Sequence, residues 1–344
     1  MPVSETLPFQ PIRSKLYSSR ELMDGFDVTK PQSHATIPDF LTYVYFVRNG
    51  RATPNEPYAG MMEGLHDNSI LRAMFEFLQT SEKPVAAIMG GHKEQRGSEP
   101  YRAVVQIAKR LTEKGFLMAS GGGPGAMEAT HLGALLKGKD SATVDEAIAL
   151  LATEAELPGS MNIVDKDGVV RMDLVANVHR WAVPAVKLLN QLSDGGQSLA
   201  VPTWHYGHEP LTPLATHVAK YFLNSIREDV LLALATNGII FAPGKAGTLQ
   251  EVFQDAAQNY YRGEGPFSPM IFLGTKFWRE TLPVEKLLEA LFIANGHGDE
   301  YKRKVLFTDD IDQIVDFLGA QQDKREKMMS RLETLGMSER LATA

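Results

Sequence analysis

The sequence predicts an α/β fold whose mostly parallel, doubly wound sheet carries helices on both faces. From residue 84 onward, short apolar runs alternate with amphipathic segments, which is the pattern of buried parallel strands joined by helices. Two glycine-rich turns, at residues 121–125 and 243–247, each follow an apolar run and precede a helical segment. Because ligands bind beyond the carboxyl ends of such strands, both turns are predicted to lie at the ligand-binding edge of the sheet.

Residues 1–80 are predicted to form a partly helical N-terminal extension. This part of the chain is polar and contains several prolines before a helical pattern at residues 70–78. The first strand is predicted at residues 85–90, and the helix after it is predicted to end near Gly115. The apolar face of that helix, at helical spacing, comprises Val104, Ile107, Ala108 and Leu111.

Between the two glycine turns, the pattern predicts further strands and helices. A strand at residues 116–120 leads into the first turn, and the next helix is predicted to begin near Pro124 and to end near Leu136. The later segments are predicted to be helices at residues 143–154 and 183–192, strands within 169–178 and at 198–202, and a helix over 217–235.

The second glycine turn follows a strand predicted at residues 238–242. Two more strands are predicted at residues 269–274 and 304–308, and either Asp309 or Asp310 can cap a final helix. The apolar face of that helix comprises Ile311, Ile314, Val315 and Leu318. The predicted units are the N-terminal extension, a main domain and a C-terminal helical tail, at residues 1–80, 81–320 and 321–344.

Composition and charge argue against several classes of function. A net charge of −7 without a basic stripe disfavours a nucleic-acid polymer as partner. Because the chain has no cysteine, disulfides, thiolate zinc sites and cysteine nucleophiles are excluded. The N-terminus has no signal-peptide pattern and the apolar runs are too short to span a bilayer, so a cytoplasmic protein with no membrane partner is expected.

The first glycine turn has the composition of a phosphate cradle. Its glycines allow an anion to approach backbone N–H groups at a helix N-terminus, and Pro124 suits the first helical position. The candidate phosphate-binding residues of this turn are Gly121, Gly122, Gly123 and Gly125. The loose pattern G-x-G-x-x-A also fits a dinucleotide site, but no acidic residue ends a strand about 20 residues later, which favours a mononucleotide over NAD. A tight turn without a ligand is the alternative.

The second glycine turn is the other candidate phosphate site, although it lacks the Walker pattern. Its candidate phosphate-binding residues are Gly244, Lys245, Ala246, Gly247 and Thr248. Lys245 can either reach a phosphate or lie in solvent. Residues 248–251 form a capping-box pattern, which explains Glu251 without a catalytic role, yet a capping glutamate can also face a ligand.

Two further charged residues have both a structural and a functional interpretation. Glu128 falls in the first turn of its helix, where the helix dipole favours a carboxylate, and it can equally act in catalysis or bind ribose. Arg227 faces away from the core if one helix spans residues 217–235, but the capping-box pattern at residues 225–228 can instead begin a new helix. In a first helical turn Arg227 can pair with a phosphate or a carboxylate, but solvent exposure is the favoured interpretation from the residues alone.

Histidines near two predicted strand ends are further candidates for ligand contacts. His205 and His208 suggest a metal site, but no third ligand is evident, so lining of a pocket is the favoured interpretation. His92 and Arg96 follow the first strand, where they are placed to contact a ligand.

Together, the two glycine turns resemble the LOG family, long misnamed lysine decarboxylase-like. The similarity rests on Gly-Gly-Gly-Pro-Gly-Ala-Met-Glu at residues 121–128 and on Pro-Gly-Lys-Ala-Gly-Thr-Leu-Gln-Glu at residues 243–251, against the family signature GGGxxGxM…PGGxGTxxE. It covers residues 84–275. The first motif is closer to that of the bacterial pyrimidine/purine nucleotide nucleosidase branch than to that of the plant enzymes. Members of this family are Rossmann-like N-glycosidases that hydrolyse nucleoside 5′-monophosphates to a free base and ribose 5-phosphate.

The resemblance implies a role for each candidate residue. Glu251 and Arg227 would be the catalytic pair, Glu128 would support the ribose or the attacking water, and the N–H groups of both turns would hold the 5′-phosphate of an AMP-like nucleotide. The resemblance also implies a homodimer, and neither a cofactor nor a metal is expected. Lys245 stands where the family has glycine, and its side chain can crowd the phosphate or add a charge to it.

Functions other than hydrolysis are the alternatives. The main one is a non-catalytic nucleotide-binding protein of the same fold that signals through its N-terminal extension, which Lys245 favours. Retention of both glutamates and an arginine favours the enzyme instead. An NAD-linked oxidoreductase is disfavoured by the missing acidic residue, and lysine decarboxylation by the lack of a clear pyridoxal-phosphate lysine.

Overall fold

Seven parallel strands form the centre of the protein. The computed structural model describes residues 7–192, 194–261 and 267–320. The strands are β1 Val85–Met89, β2 Leu117–Ser120, β3 Ser198–Ala200, β4 His217–Val218, β5 Ile239–Phe241, β6 Met270–Leu273 and β7 Val305–Thr308. Their order is β4-β3-β2-β1-β5-β6-β7, and every neighbouring pair is parallel.

Helices connect these strands and also form the N-terminal extension. The α-helices of the extension are α1 Ser19–Leu22, α2 Pro38–Arg48 and α3 Pro57–Ser81. The other α-helices of the described residues are α4 Glu99–Glu113, α5 Ala126–Leu135, α6 Ser141–Ala152, α7 Met172–Gln191, α8 Asn224–Leu234, α9 Ala246–Tyr260, α10 Val284–Phe292, α11 Gly298–Lys304 and α12 Ile311–Gly319.

The central strand β1 is buried on both faces, because its residues alternate between two apolar clusters. Ala86 and Ile88 pack with α4, α5, α6 and α12. Val85, Ala87 and Met89 pack on the opposite face with α2, α3, α8, α9 and α10. Helices therefore cover both faces of a parallel sheet, and the predicted Rossmann-like, doubly wound α/β fold is confirmed.

The direction in which strands are added to the sheet reverses beside β1. The chain moves outward from β1 through β2 and β3 to β4, and then returns to place β5 on the other side of β1. Such a reversal opens a crevice at the carboxyl ends of the two central strands. The first glycine turn follows β2 and the second follows β5, so both turns lie at this edge of the sheet, as predicted.

Most predicted elements are present, but the strand expected within residues 169–178 is wrong. Helix α7 begins at Met172, and Val170 forms only an isolated bridge with Val164. Val175 and Val178 are buried three residues apart, and the spacing continues to Trp181. This helical period places the three side chains on one face, so packing outweighs the β propensity of the valines.

The single helix expected over residues 217–235 is also wrong. His217 and Val218 form the short strand β4, and α8 begins only at Asn224. The backbone of residues 217–219 pairs with β3, where Ala219 N–H donates to Ala200 O, and with the N-terminal extension, where Val218 N–H donates to Tyr17 O, both at 2.8 Å. Pairing with β3 and with the extension therefore overrides the local helical pattern.

The N-terminal extension packs into the same apolar cluster as the sheet. Phe9 and Phe40 are buried in that cluster with Trp204 and Phe222, which lie near the ends of β3 and β4. The predicted C-terminal helical tail, residues 321–344, falls outside the described residues. Among the helices of the described part of the chain, none is both long enough and apolar enough to cross a membrane.

Candidate functional site

A cleft of about 560 Å³ lies where the carboxyl ends of β1 and β5 meet. The segment after β1 lines it through Gly91 and His92, and the segment after β5 lines it through the second glycine turn. The two segments are joined by a backbone hydrogen bond of 3.1 Å from Gly91 N–H to Pro243 O. The volume falls within the range of about 300–1,000 Å³ that is typical of small-molecule sites.

The first glycine turn lines a smaller cavity, of about 50 Å³, beside the main cleft. Gly121, Gly122 and Gly123 face this small cavity. The residues that line both spaces are Met127, Tyr206, Glu209 and Arg227. The two glycine turns therefore contribute to one composite site, with Arg227 at the junction between its two parts.

The glycines of the first turn are required by neighbouring protein atoms. A Cβ atom on Gly121 would overlap the Arg227 guanidinium, so this glycine allows the arginine to pack over the turn. Gly125 has a φ of +69°, and its Cβ would overlap Gly91 O. Helix α5 begins after Gly125, so the expectation that Pro124 occupies the first helical position is wrong. A side chain at Gly125 would meet both backbone strain and a steric clash.

The second glycine turn leads into α9, which begins at Ala246 with Lys245 as its N-cap residue. The first N–H groups of a helix have no intrahelical acceptor, so those of Ala246, Gly247 and Thr248 can bind an anion in the cleft. Lys245 is exposed and lines the same cleft, which puts its charge within the site. Gly244 lines the cleft as well, and a Cβ there would overlap the Thr248 side chain.

The predicted capping box of residues 248–251 is not formed. Because α9 begins two residues before Thr248, this threonine lies inside the first turn and does not cap the helix. Glu251 is therefore not held at a helix end, and its carboxylate lines the cleft. Helix capping therefore does not explain the presence of Glu251.

Arg227 lies in the first turn of α8, so the interpretation with a new helix near residue 225 is the correct one. The helix begins one residue before Ser225, and the N-cap residue Leu223 makes no side-chain capping bond. Arg227 Nε donates to Val201 O at 2.9 Å, and Nη1 lies 3.7 Å from Glu251 Oε1. One side of the guanidinium is thus fixed by the Val201 carbonyl, and the other faces Glu251. Arg227 is buried, at 8% exposed, so the solvent-exposed position favoured from the sequence is wrong.

Glu251 has the properties of an acid–base group. Its side chain is 16% exposed, and burial raises its pKa to about 7. The charge of Arg227 lowers this pKa and the charge of Glu228 raises it, but both effects are smaller than that of burial. A carboxylate with a pKa near neutrality, in a cleft, is a candidate for proton transfer.

Glu209 is a second carboxylate of the site, and sequence reasoning did not select it. It lines both the cleft and the small cavity. Its Oε1 lies 3.9 Å from His92 Nε2 and 4.0 Å from His208 Nε2. Burial raises the pKa of Glu209, against the opposing charges of His92, Arg227 and Lys93. The only signal for Glu209 in the sequence is its place at the end of the run Trp-His-Tyr-Gly-His-Glu at residues 204–209, whose histidines suggest a metal site.

The histidines and Arg96, which were predicted to contact a ligand, do not all lie at the cleft. His92 lines the cleft, whereas Arg96 is buried away from it. His208 contacts Glu209, and the His205 ring packs against Tyr206. Within the described residues, no group of three or more His, Cys, Asp or Glu side chains is arranged to hold a metal ion.

Glu128 lines neither the cleft nor the small cavity. Its fully buried carboxylate accepts hydrogen bonds from Arg96 Nε at 2.7 Å, Arg96 Nη2 at 2.6 Å and the Tyr101 hydroxyl at 3.1 Å. The Arg96 guanidinium also stacks 3.6 Å from the Trp181 ring centroid. The structure therefore keeps Glu128 apart from Glu251, in an ion pair that ties α5 to the segment after β1.

Replacing Glu128 by glutamine is expected to destabilise the fold by about 3–5 kcal/mol, because the Arg96 charge would remain buried without a counter-charge. Denaturant unfolding measures this loss. The matched control is Glu76→Gln, which breaks an exposed pair with Arg72 and is expected to cost about 0–1 kcal/mol. Equal losses in the two variants would contradict a structural role for Glu128.

Comparisons with known proteins do not assign a family. No protein-family model matches the chain, and no curated protein matches it either.

Proposed function

We propose that this protein is a nucleoside 5′-monophosphate phosphoribohydrolase, an N-glycosidase that releases a free base and ribose 5-phosphate. The observation that carries the proposal is the convergence of both glycine turns on one site, with Arg227 Nη1 3.7 Å from Glu251 Oε1 between them. The resemblance of residues 121–128 and 243–251 to the LOG family supports the same reaction.

The 5′-phosphate of the substrate binds, in this proposal, at the second glycine turn. The first N–H groups of α9 and the partial positive charge of the helix N-terminus favour a phosphate there. Lys245 adds a full positive charge beside this position, since it is exposed and lines the cleft. The lysine thus strengthens phosphate binding, which is compatible with hydrolysis.

In the reaction, the bond between ribose C1′ and the base nitrogen breaks, and a water molecule adds to C1′. The bonding electrons leave with the base nitrogen, which gains a proton, and positive charge builds on the ribose in the transition state. The Glu251 carboxylate stabilises that charge and accepts the proton lost by the water, and it is regenerated when this proton passes, directly or through solvent, to the base nitrogen. Arg227 supports the departing base or the phosphate through its guanidinium N–H groups.

Glu209, in place of Glu128, is the second carboxylate of the proposed reaction. Glu209 reaches both parts of the site and can accept hydrogen bonds from ribose hydroxyls. Glu128 is fully buried against Arg96 and Tyr101, so we assign it no contact with the substrate. A homodimer and a cytoplasmic location remain predictions.

A substrate panel tests the proposal. The wild-type protein is incubated with AMP, GMP, CMP and UMP, with the matching nucleosides, and with NAD, and free base is measured by chromatography. We expect cleavage of at least one monophosphate and none of its nucleoside, because the phosphate supplies the binding energy that orients C1′. Binding of the monophosphates without cleavage would favour the non-catalytic sensor instead.

The activity is expected to rise with pH through the neutral range. Glu251 must be deprotonated to accept a proton, and its pKa is about 7, so the active fraction increases about tenfold per pH unit below that value and levels off above it. The measurement is kcat at saturating nucleotide, where titration of the free phosphate, with a pKa of about 6, does not affect binding. An activity that falls as the pH rises through 7 would contradict this role.

A further inference from the structure

The segment between β4 and α8 is held by a carboxylate of the N-terminal extension. Asp67 of α3 accepts hydrogen bonds from Phe222 N–H through Oδ1 and from Leu223 N–H through Oδ2, both at 2.9 Å. Asp67 is only 1% exposed. One side chain thus satisfies two consecutive backbone donors, and both of its oxygens are used.

Asp67 is itself fixed by other residues of the extension. The His66 Nδ1 atom lies 3.2 Å from Asp67 Oδ1, and His66 Nε2 lies 2.8 Å from the Tyr17 hydroxyl. Tyr17 and His66 are both buried. The carboxylate therefore has little freedom to move, and the backbone that it holds is fixed with it.

A second carboxylate of the extension holds the same segment two residues earlier. Asp39 of α2 accepts a hydrogen bond of 2.6 Å from Lys220 Nζ and one of 3.2 Å from Trp204 Nε1. Lys220 is 2% exposed and lines the small cavity together with the first glycine turn. Residues 220–223 are thus attached to the extension at both ends.

The attached segment determines where Arg227 lies. Leu223 is the N-cap residue of α8, and its carbonyl oxygen accepts a hydrogen bond of 3.4 Å from Arg227 N–H. The N-cap residue makes no side-chain capping bond, so the two hydrogen bonds to Asp67 anchor the backbone directly before α8, while the bond to Val201 O holds the Arg227 side chain. A shift at residues 222–223 would move the guanidinium away from Gly121 and Glu251.

We propose that Asp67 is a positioning residue, which acts through Arg227 and makes the N-terminal extension part of the catalytic apparatus. The proposal rests on the proposed function in one respect, because it takes Arg227 to be catalytic. Its structural part is that Asp67 orders the backbone directly before α8, and this part depends only on the hydrogen bonds from Phe222 and Leu223.

The first test is Asp67→Asn, which keeps the size of the side chain. Only one of the two asparagine polar groups accepts hydrogen bonds, so one backbone N–H loses its acceptor. We expect kcat to fall by about 10²-fold, as is typical when a catalytic group is displaced by about 1 Å, with KM changed far less. Glu76→Gln on the exposed face of the same helix is the matched control and should leave kcat unchanged.

A double-mutant cycle tests whether Asp67 acts through Arg227. In an Arg227→Gln background, Asp67→Asn should cause no further loss of kcat, because the group that it positions is already absent. Tyr17→Phe is the milder variant, in case Asp67→Asn does not fold, and it should lower kcat by about threefold to tenfold through loss of one hydrogen bond to His66. Additive losses in the cycle, or an unchanged kcat in the folded variants, would overturn the proposal.

Hydrogen exchange separates this proposal from the proposed function. Asp67→Asn should speed amide exchange at residues 222–227 relative to Glu76→Gln, whether or not the protein cleaves nucleotides. If the wild type cleaves no nucleotide, the proposed function fails. Faster exchange in Asp67→Asn would still support the attachment of the segment before α8 to the N-terminal extension. Unchanged exchange at residues 222–227 would overturn the positioning role itself.

Discussion

Glu251→Gln is expected to lower kcat for nucleotide cleavage by about 10²–10⁴-fold, the usual contribution of a group that transfers a proton in the transition state. Glutamine cannot accept the proton of the attacking water, and it carries no charge to stabilise the ribose. Nucleotide binding should change little, because the proposed phosphate site is the second glycine turn and not Glu251. Binding is measured by calorimetry and kcat by release of free base.

The matched control for this variant is Glu228→Gln. Glu228 lines the same cleft, but its carboxylate already accepts hydrogen bonds from Asn224 Nδ2 at 2.7 Å and Gln250 Nε2 at 2.8 Å. Above about pH 8, where Glu251 is deprotonated with or without the Glu228 charge, we expect its kcat to stay within about twofold of the wild type. A similar loss in both variants would mean that the general charge of the cleft, and not Glu251, controls the rate.

Arg227→Gln is expected to lower kcat by about 10²–10³-fold, because a preorganised donor is removed from the junction of the two glycine turns. Arg227→Lys should not restore the activity. A lysine ammonium cannot both replace the bond from Arg227 Nε to Val201 O and present a planar pair of donors toward Glu251. Steady-state kinetics on the folded variants measures both effects.

The pH profile gives an independent check on Arg227. Its charge lowers the pKa of Glu251, so removal of that charge raises the pKa and moves the rise in activity to higher pH. Arg180→Gln, which replaces an exposed arginine of α7, is the control and should leave both kcat and the pH profile unchanged. If the pH at which kcat rises is the same in Arg227→Gln as in the wild type, the coupling between Arg227 and Glu251 is contradicted.

The sequence predicted those features of the fold and site that depend on local chemistry. Apolar runs gave β1, β2, β3 and β5 to β7, and glycine spacing located both turns at the edge where the cleft lies. These features follow from backbone conformation and from the pattern of apolar residues, both of which are set by residues close together in the sequence. The same reasoning failed at α7, where valines typical of strands lie on the buried face of a helix.

The position of Arg227 could not be derived from local sequence. Two helix starts were compatible with the pattern. The observed start depends on the pairing of residues 217–219 with β3 and on Asp67, which is 155 residues from Phe222 in the chain. No periodicity and no motif in the sequence predicts such a contact between distant residues. The sequence therefore assigned the extension no structural role at the site, whereas the extension holds the segment directly before α8.

The two remaining glutamates show a similar limit. The sequence around Glu128 fits a dipole-stabilised carboxylate, a catalytic group or a ribose-binding group, but the structure places it in an ion pair with Arg96, which packs against Trp181. Glu209 follows a short strand in an irregular segment, where side-chain directions cannot be inferred from spacing. Its place in the site depends on contacts with His92, across the sheet edge.

The most direct test of the account is the stoichiometry of products from one nucleoside monophosphate. Free base and ribose 5-phosphate are measured in the same reaction, for the wild type and for Glu251→Gln at equal nucleotide occupancy. The account predicts equimolar base and ribose 5-phosphate from the wild type, and loss of both products in the variant. Saturating nucleotide binding to the wild type with neither product formed would contradict it.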